Sequence, residues 1–381
     1  MTTRVLVLGA GFGGLELTTR LAETVPAEFE ITIIDKNEAF IFGFSKFDLM
    51  FGKDTLAGVK AYYRDIVKPG VTFRQELITS IDAAARRVTT DRGTYEADIL
   101  VVALGADYDI DATPGLREGG NEFYSVEGAL KVRELLPSFT AGRVVIGVMG
   151  EPFKCPPAPS EAAMLLDEYL TERGVRSECE ISIVFPFGRP IPPSPEGSKA
   201  ILDRFAEKNI QFFGDQVITS LDPAHKVALL RDGSAMPYDL FLGVPIHVAP
   251  EVVHSSGLAE NGWIPVNKVN LETKYPGVYA VGDVCSAPVP RAGVFAESAG
   301  RTVAEDIIFK LSGGAPAAAY DGRGTCYVEF GDGRVGRVDA DFLGGPSPTA
   351  PFMSPSPATA SEKRAFASNR RERWFGYAPK R

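Results

Sequence analysis

Cys155 stands in the run EPFKCPP, Glu151 to Pro157, with Lys154 beside it. The residues after it carry apolar side chains at helical spacing: Ala162, Leu165, Leu166 and Leu170. A thiol between a lysine and a helix N-terminus is expected to be partly thiolate near neutral pH, because the ammonium and the helix dipole both favour the anion. Such a thiolate is a nucleophile toward sulfur and electrophilic carbon. The competing reading is a small buried residue in a turn. Glu161, six residues on, is a candidate proton acceptor for such chemistry, or else a helix-start carboxylate favoured by the dipole. The four cysteines, Cys155, Cys179, Cys285 and Cys326, contain no C-x-x-C pair. They are too few and too scattered for a disulfide scaffold, and the haem-attachment pattern is absent. His225, His247 and His254 lack zinc spacing, so no metal site is expected.

A second chemical signal lies at the N-terminus. Val5 to Leu8 reads as a buried parallel strand. Gly9, Gly11 and Gly14 follow in G-x-G-x-x-G spacing, then Leu15, Leu17 and Leu21 on a helix. The first glycine allows the tight turn. The second lets the backbone approach a pyrophosphate, and the third lets helix and strand touch. Ile31 to Ile34 forms the next strand and ends in Asp35 and Lys36. An acidic residue there accepts hydrogen bonds from a ribose. The combination predicts a dinucleotide site, with Lys36 counted in its binding set.

The segment holding Cys155 is a degraded copy of that turn. With Arg143 aligned on Arg4, the glycine positions become Val148, Gly150 and Phe153. Val148 obstructs the turn, and Phe153 fills the space where helix and strand should meet. Pro152, Pro156, Pro157 and Pro159 remove N–H donors that would cradle phosphate. A second Rossmann-like unit that holds no NADH tightly is predicted.

Two further stretches identify the class. DILVVALGADY carries Ala103 and Gly105, and TKYPGVYAVGDV carries Gly282 and Asp283. These resemble the A-T-G-like and G-D motifs of the two-dinucleotide-binding-domain flavoproteins. That resemblance implies an α/β fold with two Rossmann-like domains, of the glutathione-reductase-like FAD/NAD(P)-binding type, plus a small C-terminal lobe. It also implies FAD, with Asp283 toward its ribityl and pyrophosphate part. The helix beginning near Gly293, with Phe295, Ala299, Val303 and Ile307 on one face, would point its N-terminus at the flavin and favour the anionic reduced form. Gly293 joins the expected cofactor set.

EPFKCPPAPSEAAML also resembles the first redox-cysteine motif of sulfide:quinone oxidoreductases and of the flavocytochrome c sulfide dehydrogenase flavoprotein subunit. GTCYVEFGDG, Gly324 to Gly333, resembles the strand with the partner cysteine, which is Cys326 here. The resemblance covers nearly the whole chain and implies a Cys155–Cys326 redox disulfide. Cys155 would carry a persulfide, and Cys326 would face the flavin. Where many relatives have a third cysteine, this chain offers Ser125. Asn37 to Phe47 contains no cysteine for covalent attachment, so FAD is expected to be noncovalent. Cys179 and Cys285 are expected to be structural.

With 381 residues, 45% apolar, the chain is long enough for two or three domains. A net charge of −9 argues against nucleic acid as partner. No apolar run reaches the length of a membrane span. The first residues run straight into a strand without a basic lead or cleavage site, so a cytoplasmic protein is expected. The expected division is 1–108 with 248–314 for FAD, 109–247 for the nucleotide-like domain, and 315–381 for the C-terminal lobe. Gly344 to Ala360 holds five prolines and reads either as a surface linker or as an apolar lid for a quinone. Phe366, Arg370 and Trp374 follow at i, i+4, i+8, and residues 361–381 hold seven Lys/Arg against two Glu. This helix either docks on its own protein or makes a peripheral contact at the inner face of the plasma membrane. A homo-oligomer stays open. Arg291 and Glu297, at the start of the flavin-facing helix, either tune the reduced flavin or form a plain salt bridge. The leading function is oxidation of sulfide, or polysulfide-type sulfane sulfur, with a quinone as acceptor. The alternatives are a cytochrome acceptor, a type II NADH:quinone reductase (disfavoured by Val148 and Phe153), and a flavin redox sensor without turnover.

Overall fold

The computed structural model describes residues 2–24, 27–313 and 315–376. Two five-stranded sheets form its centre. The first runs Val278–Ala280, Ile99–Val102, Thr3–Leu8, Phe29–Asp35, Val71–Gln75. The second runs Asn121–Glu122, Leu240–Val244, Gly142–Val148, Cys179–Val184, Ile210–Phe213. Every neighbouring pair in both is parallel. Parallel strands are covered on both faces, so their centres read as unbroken Val, Ile and Leu runs rather than alternating ones. This is the α/β arrangement with two Rossmann-like units expected from the sequence.

The copied arginine now has a physical role. The Arg4 backbone N–H and Nη2 donate to the Asp98 carboxylate, each at 2.9 Å. The Arg143 backbone N–H and Nε donate to Asp239 at 2.9 and 3.0 Å. Each aspartate directly precedes the next strand of its sheet, so each pair clamps the starts of two neighbouring strands. The likeness extends to a three-stranded antiparallel meander in each unit, with a register irregularity at Ile78/Ser80 in one and Ile218/Ser220 in the other. Between the units the chain passes along an antiparallel ribbon, Asp107–Asp109 against Ile246–Val248.

The helix Phe12–Thr24 packs on the helix Gly293–Ser312. A Cβ on Gly300 would stand 2.3 Å from the Gly13 carbonyl oxygen, so this close crossing requires glycine. Phe295, Ala299, Val303 and Ile307 are all buried on its inner face, as the spacing predicted.

The C-terminal residues add a small antiparallel sheet, Arg323–Glu329, Val335–Asp341 and Phe352–Met353. The proline-rich stretch therefore supplies an edge strand. Prolines exclude it from helix and from inner strands but allow two residues at an edge. Phe352 rests on Phe330, ring centroids 6.0 Å apart, and pairs with Val338. The chain then enters the helix Pro357–Phe375, capped by Ser356 and Thr359 in a reciprocal capping box.

That helix docks its aromatic stripe inward. Trp374 is fully buried, edge-on to Phe12 at 5.4 Å, and its Nε1–H donates to Glu16 at 2.9 Å. Arg370 donates to both carboxylate oxygens of Glu297, so Glu297 is part of a salt bridge. Phe366 stacks beneath the Arg370 guanidinium, 3.5 Å from its centroid. Among the described residues no helix is long and apolar enough to cross a membrane.

Glu16 is the anchor of this docking. Burial alone would raise its pKa, but hydrogen bonds from Arg373 and Trp374 and the charges of Arg373 and Arg301 outweigh it and hold the pKa below the ordinary value. Its contribution is present above the ordinary carboxyl pKa and is lost as pH falls through the lower folded value. Glu16→Ala leaves buried donors unpaired and is expected to cost roughly 3 kcal/mol. Urea denaturation measures that loss, and limited proteolysis should show faster cleavage between residues 344 and 356.

Candidate active site

The strand Gly142–Val148 delivers the Cys155 loop. Val148 is fully buried, and Phe153 packs edge-on against Phe185 at 5.8 Å. Both glycine positions of the degraded turn are thus filled by core side chains. Cys155 itself has φ +48°, in the left-handed region that a side chain rarely adopts. Hydrogen bonds on both sides hold it there. Its N–H donates to the Arg291 carbonyl at 2.7 Å, and its carbonyl accepts from Ala158 N–H at 2.8 Å. Ala158 opens the helix Ala158–Glu172, where Ala162, Leu165, Leu166 and Leu170 are all buried.

Cys326 arrives from another part of the chain, in the strand Arg323–Glu329 opposite Val338. Both thiols are free, and both line one cavity of about 320 Å³ together with Glu161. The same cavity is bordered by Gly11, Ala103 and Gly105 from the first sheet. Gly282, Asp283 and Gly293 complete that border. The structure does not bring Gly9, Gly14, Asp35 or Lys36 to this wall. Gly9 and Gly14 act inside the turn, where a Cβ on Gly14 would stand 2.1 Å from the Gly9 carbonyl oxygen. Asp35 braces the same turn, accepting from Ala10 N–H at 2.8 Å. Lys36 offers only its carbonyl, to Gln75.

Several wall residues carry no motif and escaped sequence reading. Lys46, Tyr124, Lys363 and Phe366 are among them. Phe366 was legible only as part of a helical stripe, and the others had no signal at all. Ser125 caps the helix Val126–Leu135, its Oγ accepting from Gly128 N–H at 2.8 Å. Cys179 and Cys285 are buried, and the Cys285 thiol donates to the Gly282 carbonyl.

The electrostatics correct the expectation of a ready thiolate at Cys155. The residue is exposed and lines the cavity, while its thiol is packed among protein groups. Desolvation pushes its pKa well above the ordinary thiol value, and the charges of Glu161 and Cys326 add to this. Lys154 does not offset the effect. Its ammonium donates to the Ala106 carbonyl at 2.7 Å and lies over the Tyr108 ring at 4.2 Å. Cys326 is pushed up to about 12 by burial and by Glu161. Burial also raises Glu161 to about 7, although Lys363 and the Glu329 N–H, which donates at 3.0 Å, pull the other way. Two neutral thiols thus share a cavity with a carboxyl group poised to take a proton near neutrality. Asp283 is raised by burial against the pull of Lys154, Arg291 and Lys46. Lys46 is lowered to about 8, first by burial and then by Lys154.

These features define the class. Residues 3–302 match the pyridine nucleotide-disulphide oxidoreductase family, and the chain belongs to it. This is a family of flavin oxidoreductases, which implies FAD as cofactor. More particularly, the chain is 24% identical over 363 residues to the mitochondrial sulfide:quinone oxidoreductase of Mus musculus, covering 91% of this chain and 80% of that protein. A type II NADH:quinone oxidoreductase of Staphylococcus aureus is 27% identical over 376 residues, covering 88% of this chain and 89% of the other. The fold matches the crystal structure of the sulfide:quinone oxidoreductase from the hyperthermophilic bacterium Aquifex aeolicus with a TM-score of 0.88 at 23% identity, over 99% of this chain and 93% of that one.

The wall fits a flavin dinucleotide. Positions corresponding to a Cβ on Gly11 and on Gly105 have no atom within 4 Å, so backbone lies open to the cavity at both turns. The helix Gly293–Ser312 begins on the wall without a side-chain cap, which leaves its N-terminal donors for an anionic group.

Glu161 generates a direct test. Its folded pKa is raised, so the folded state holds the proton more tightly than the unfolded chain. Its own contribution to stability should therefore fall as pH rises from about 4.5 to about 7, by roughly 3 kcal/mol, against the buried His247, whose lowered pKa contributes with the opposite sign. Glu161→Gln should remove that contribution, read as the pH dependence of the difference between the parent and variant unfolding free energies in urea.

Proposed function

We propose that this protein oxidises sulfide, or a related sulfane sulfur, through a Cys155–Cys326 redox pair and passes the electrons through noncovalently bound FAD to a quinone. The observation that carries this reading is the meeting of both thiols and Glu161 with the glycine turns and Asp283 around one cavity. In this reading residues 1–108 and 248–314 hold FAD. Residues 109–247 keep the nucleotide-domain frame, and 315–381 bring Cys326. Gly11, Ala103, Gly105, Gly282, Asp283 and the helix at Gly293 hold the cofactor, while Gly9, Gly14 and Asp35 shape the turn that presents Gly11. Bound FAD would supply a two-electron acceptor for the sulfur pair and hand the electrons on to a quinone.

The chain's own groups do the rest. In the oxidised pair, hydrosulfide attacks Cys155 Sγ. A new S–S bond forms there, the Cys155–Cys326 bond breaks, and Cys326 leaves as a thiolate. The proton of the new persulfide passes to the Glu161 carboxylate. Closure of the two anionic sulfurs through the added sulfur atom releases two electrons, so the sulfide sulfur ends at the sulfane level. The apolar walls around Phe44, Phe47 and Phe366 limit water in the cavity.

The filled second turn separates this reading from the NADH one. Val148 and Phe153 occupy the two glycine positions, and Pro156 and Pro157 remove donors. The relation to type II NADH:quinone oxidoreductases keeps NADH as the reductant to test against.

Anaerobic hydrosulfide should bleach the visible flavin band, and a water-soluble quinone should restore it. Cys155→Ser or Cys326→Ser should slow the bleaching roughly a thousandfold or more while FAD stays bound. Bleaching by NADH instead would move the protein to the NADH:quinone class. Thiol modification by sulfide without bleaching would make it a redox sensor.

A further inference from the structure

Tyr124 lies between the strand Asn121–Glu122 and the helix Val126–Leu135. Its side chain is 5% exposed and borders the same cavity as Cys155 and Glu161. Phe123 and His247 hold the ring edge-on, at 5.1 and 5.5 Å. Lys46 Nζ and the Tyr108 hydroxyl both donate to its carbonyl. The residue is therefore pinned from both ring and backbone. Its hydroxyl nevertheless has no hydrogen-bond partner among the described residues. A buried hydroxyl left unpaired is destabilising, and such groups concentrate where a ligand or reacting atom completes them.

The neighbours say which atom that is. Burial pushes the phenol pKa well above its ordinary value, with Cys155, Tyr108 and Glu161 adding to the shift. Tyr124 therefore keeps its proton and is a donor on the wall of the cavity that Cys155 also lines. The cations near this thiol each spend an N–H elsewhere: Lys46 on the Tyr124 carbonyl, Lys154 on the Ala106 carbonyl, Lys363 on Glu329. Glu161 already accepts from Glu329 N–H. The Cys155 thiol itself is not bonded to the hydroxyl. One added sulfur extends the side chain by about 2 Å within the cavity whose wall holds this unpaired donor.

We propose that the Tyr124 hydroxyl donates a hydrogen bond to the sulfane sulfur carried on Cys155 and holds that persulfide as its anion. The inference rests on the sulfide-oxidation reading above and adds a residue that touches the reacting sulfur. When hydrosulfide adds to Cys155 Sγ and Cys326 departs as a thiolate, the proton on the terminal sulfur moves to Glu161. The resulting anion accepts from Tyr124. The charged and titratable groups acting on Cys155 are Glu161 on the helix that follows it, Cys326 on the strand Arg323–Glu329, and Lys46 and Lys363 from two further helices. Tyr124 is the neutral donor among them.

The test uses the full-length FAD-loaded protein with Cys326→Ser, so that sulfur placed on Cys155 cannot move on. Sodium polysulfide transfers one sulfur to the Cys155 thiolate and leaves one sulfur shorter, with charge conserved. Iodoacetamide labelling across pH, read by peptide mass spectrometry at Cys155, then gives the acidity of the persulfide. Adding Tyr124→Phe should raise that midpoint by about one unit, so labelling below the midpoint slows about tenfold. The midpoint of the unloaded Cys155 thiol, the FAD content and the melting temperature should not move, which a packing role for the hydroxyl would not predict. Equal persulfide midpoints in the two proteins would overturn the assignment of Tyr124 alone. Failure of Cys155 to take up sulfur while Tyr124 is present would overturn both this proposal and the reading beneath it.

Discussion

The site depends on a short main-chain contact between two loops that belong to different sheets. Cys155 donates its N–H to the Arg291 carbonyl at 2.7 Å, within a bridge that pairs Lys154 with Arg291. Arg291 lies between Asp283 and the helix Gly293–Ser312, and its Nε donates to the Asp283 carbonyl. One hydrogen bond thus sets the thiol loop of the second unit against the dinucleotide wall of the first. It also holds Cys155 in a backbone conformation that costs energy for a residue with a side chain. Both loops leave the carboxyl ends of parallel strands, where this class of fold opens its crevice.

Two loops alone do not enclose a cavity. The third wall comes from the C-terminal sheet and the helix Pro357–Phe375, which carry Cys326, Lys363 and Phe366. This wall is held from behind by Glu16, a carboxylate buried in the first helix after the glycine turn and paired with Arg373 and Trp374. The helix whose first residues border the cavity thus also anchors the lobe that brings the second sulfur. Removing either function would disturb the other, because the two share thirteen residues of helix.

Inside the cavity, desolvation outweighs attraction. The local pattern around Cys155 pointed to a thiolate, since a lysine and a helix start both favour negative charge. The folded chain directs Lys154 at a carbonyl and an aromatic ring instead, and surrounds the thiol with protein. Any chemistry that needs these thiols as anions must then move a proton, and Glu161, raised to about 7, lines the same cavity. The same crowding keeps Tyr124 protonated. A low-dielectric site with neutral thiols and a borderline carboxyl group differs from an exposed, permanently activated cysteine, although both have the same sequence neighbours.

Much was legible because it rests on local stereochemistry. Gly9 and Gly14 follow from a turn that cannot carry Cβ atoms there, and the apolar runs follow from strands buried on both faces. The repeat of Arg4 at Arg143 marked a duplicated unit before its clamp on the next strand was visible. Val148 and Phe153 announced a filled turn by volume alone. Long-range placement was not legible in the same way. Lys46, Tyr124 and Lys363 reach the cavity through crossings that leave no periodic trace, and Trp374 is buried against Phe12, Phe40 and Phe42 with its N–H on a carboxylate 358 positions away. The sequence by itself determined the element types, the duplicated parallel frame and the loss of the second glycine turn, since each depends on contacts within a few residues. Only tertiary structure decided which charges face the thiols and which hydroxyl is left without a partner, because those depend on how distant segments exclude water from one another.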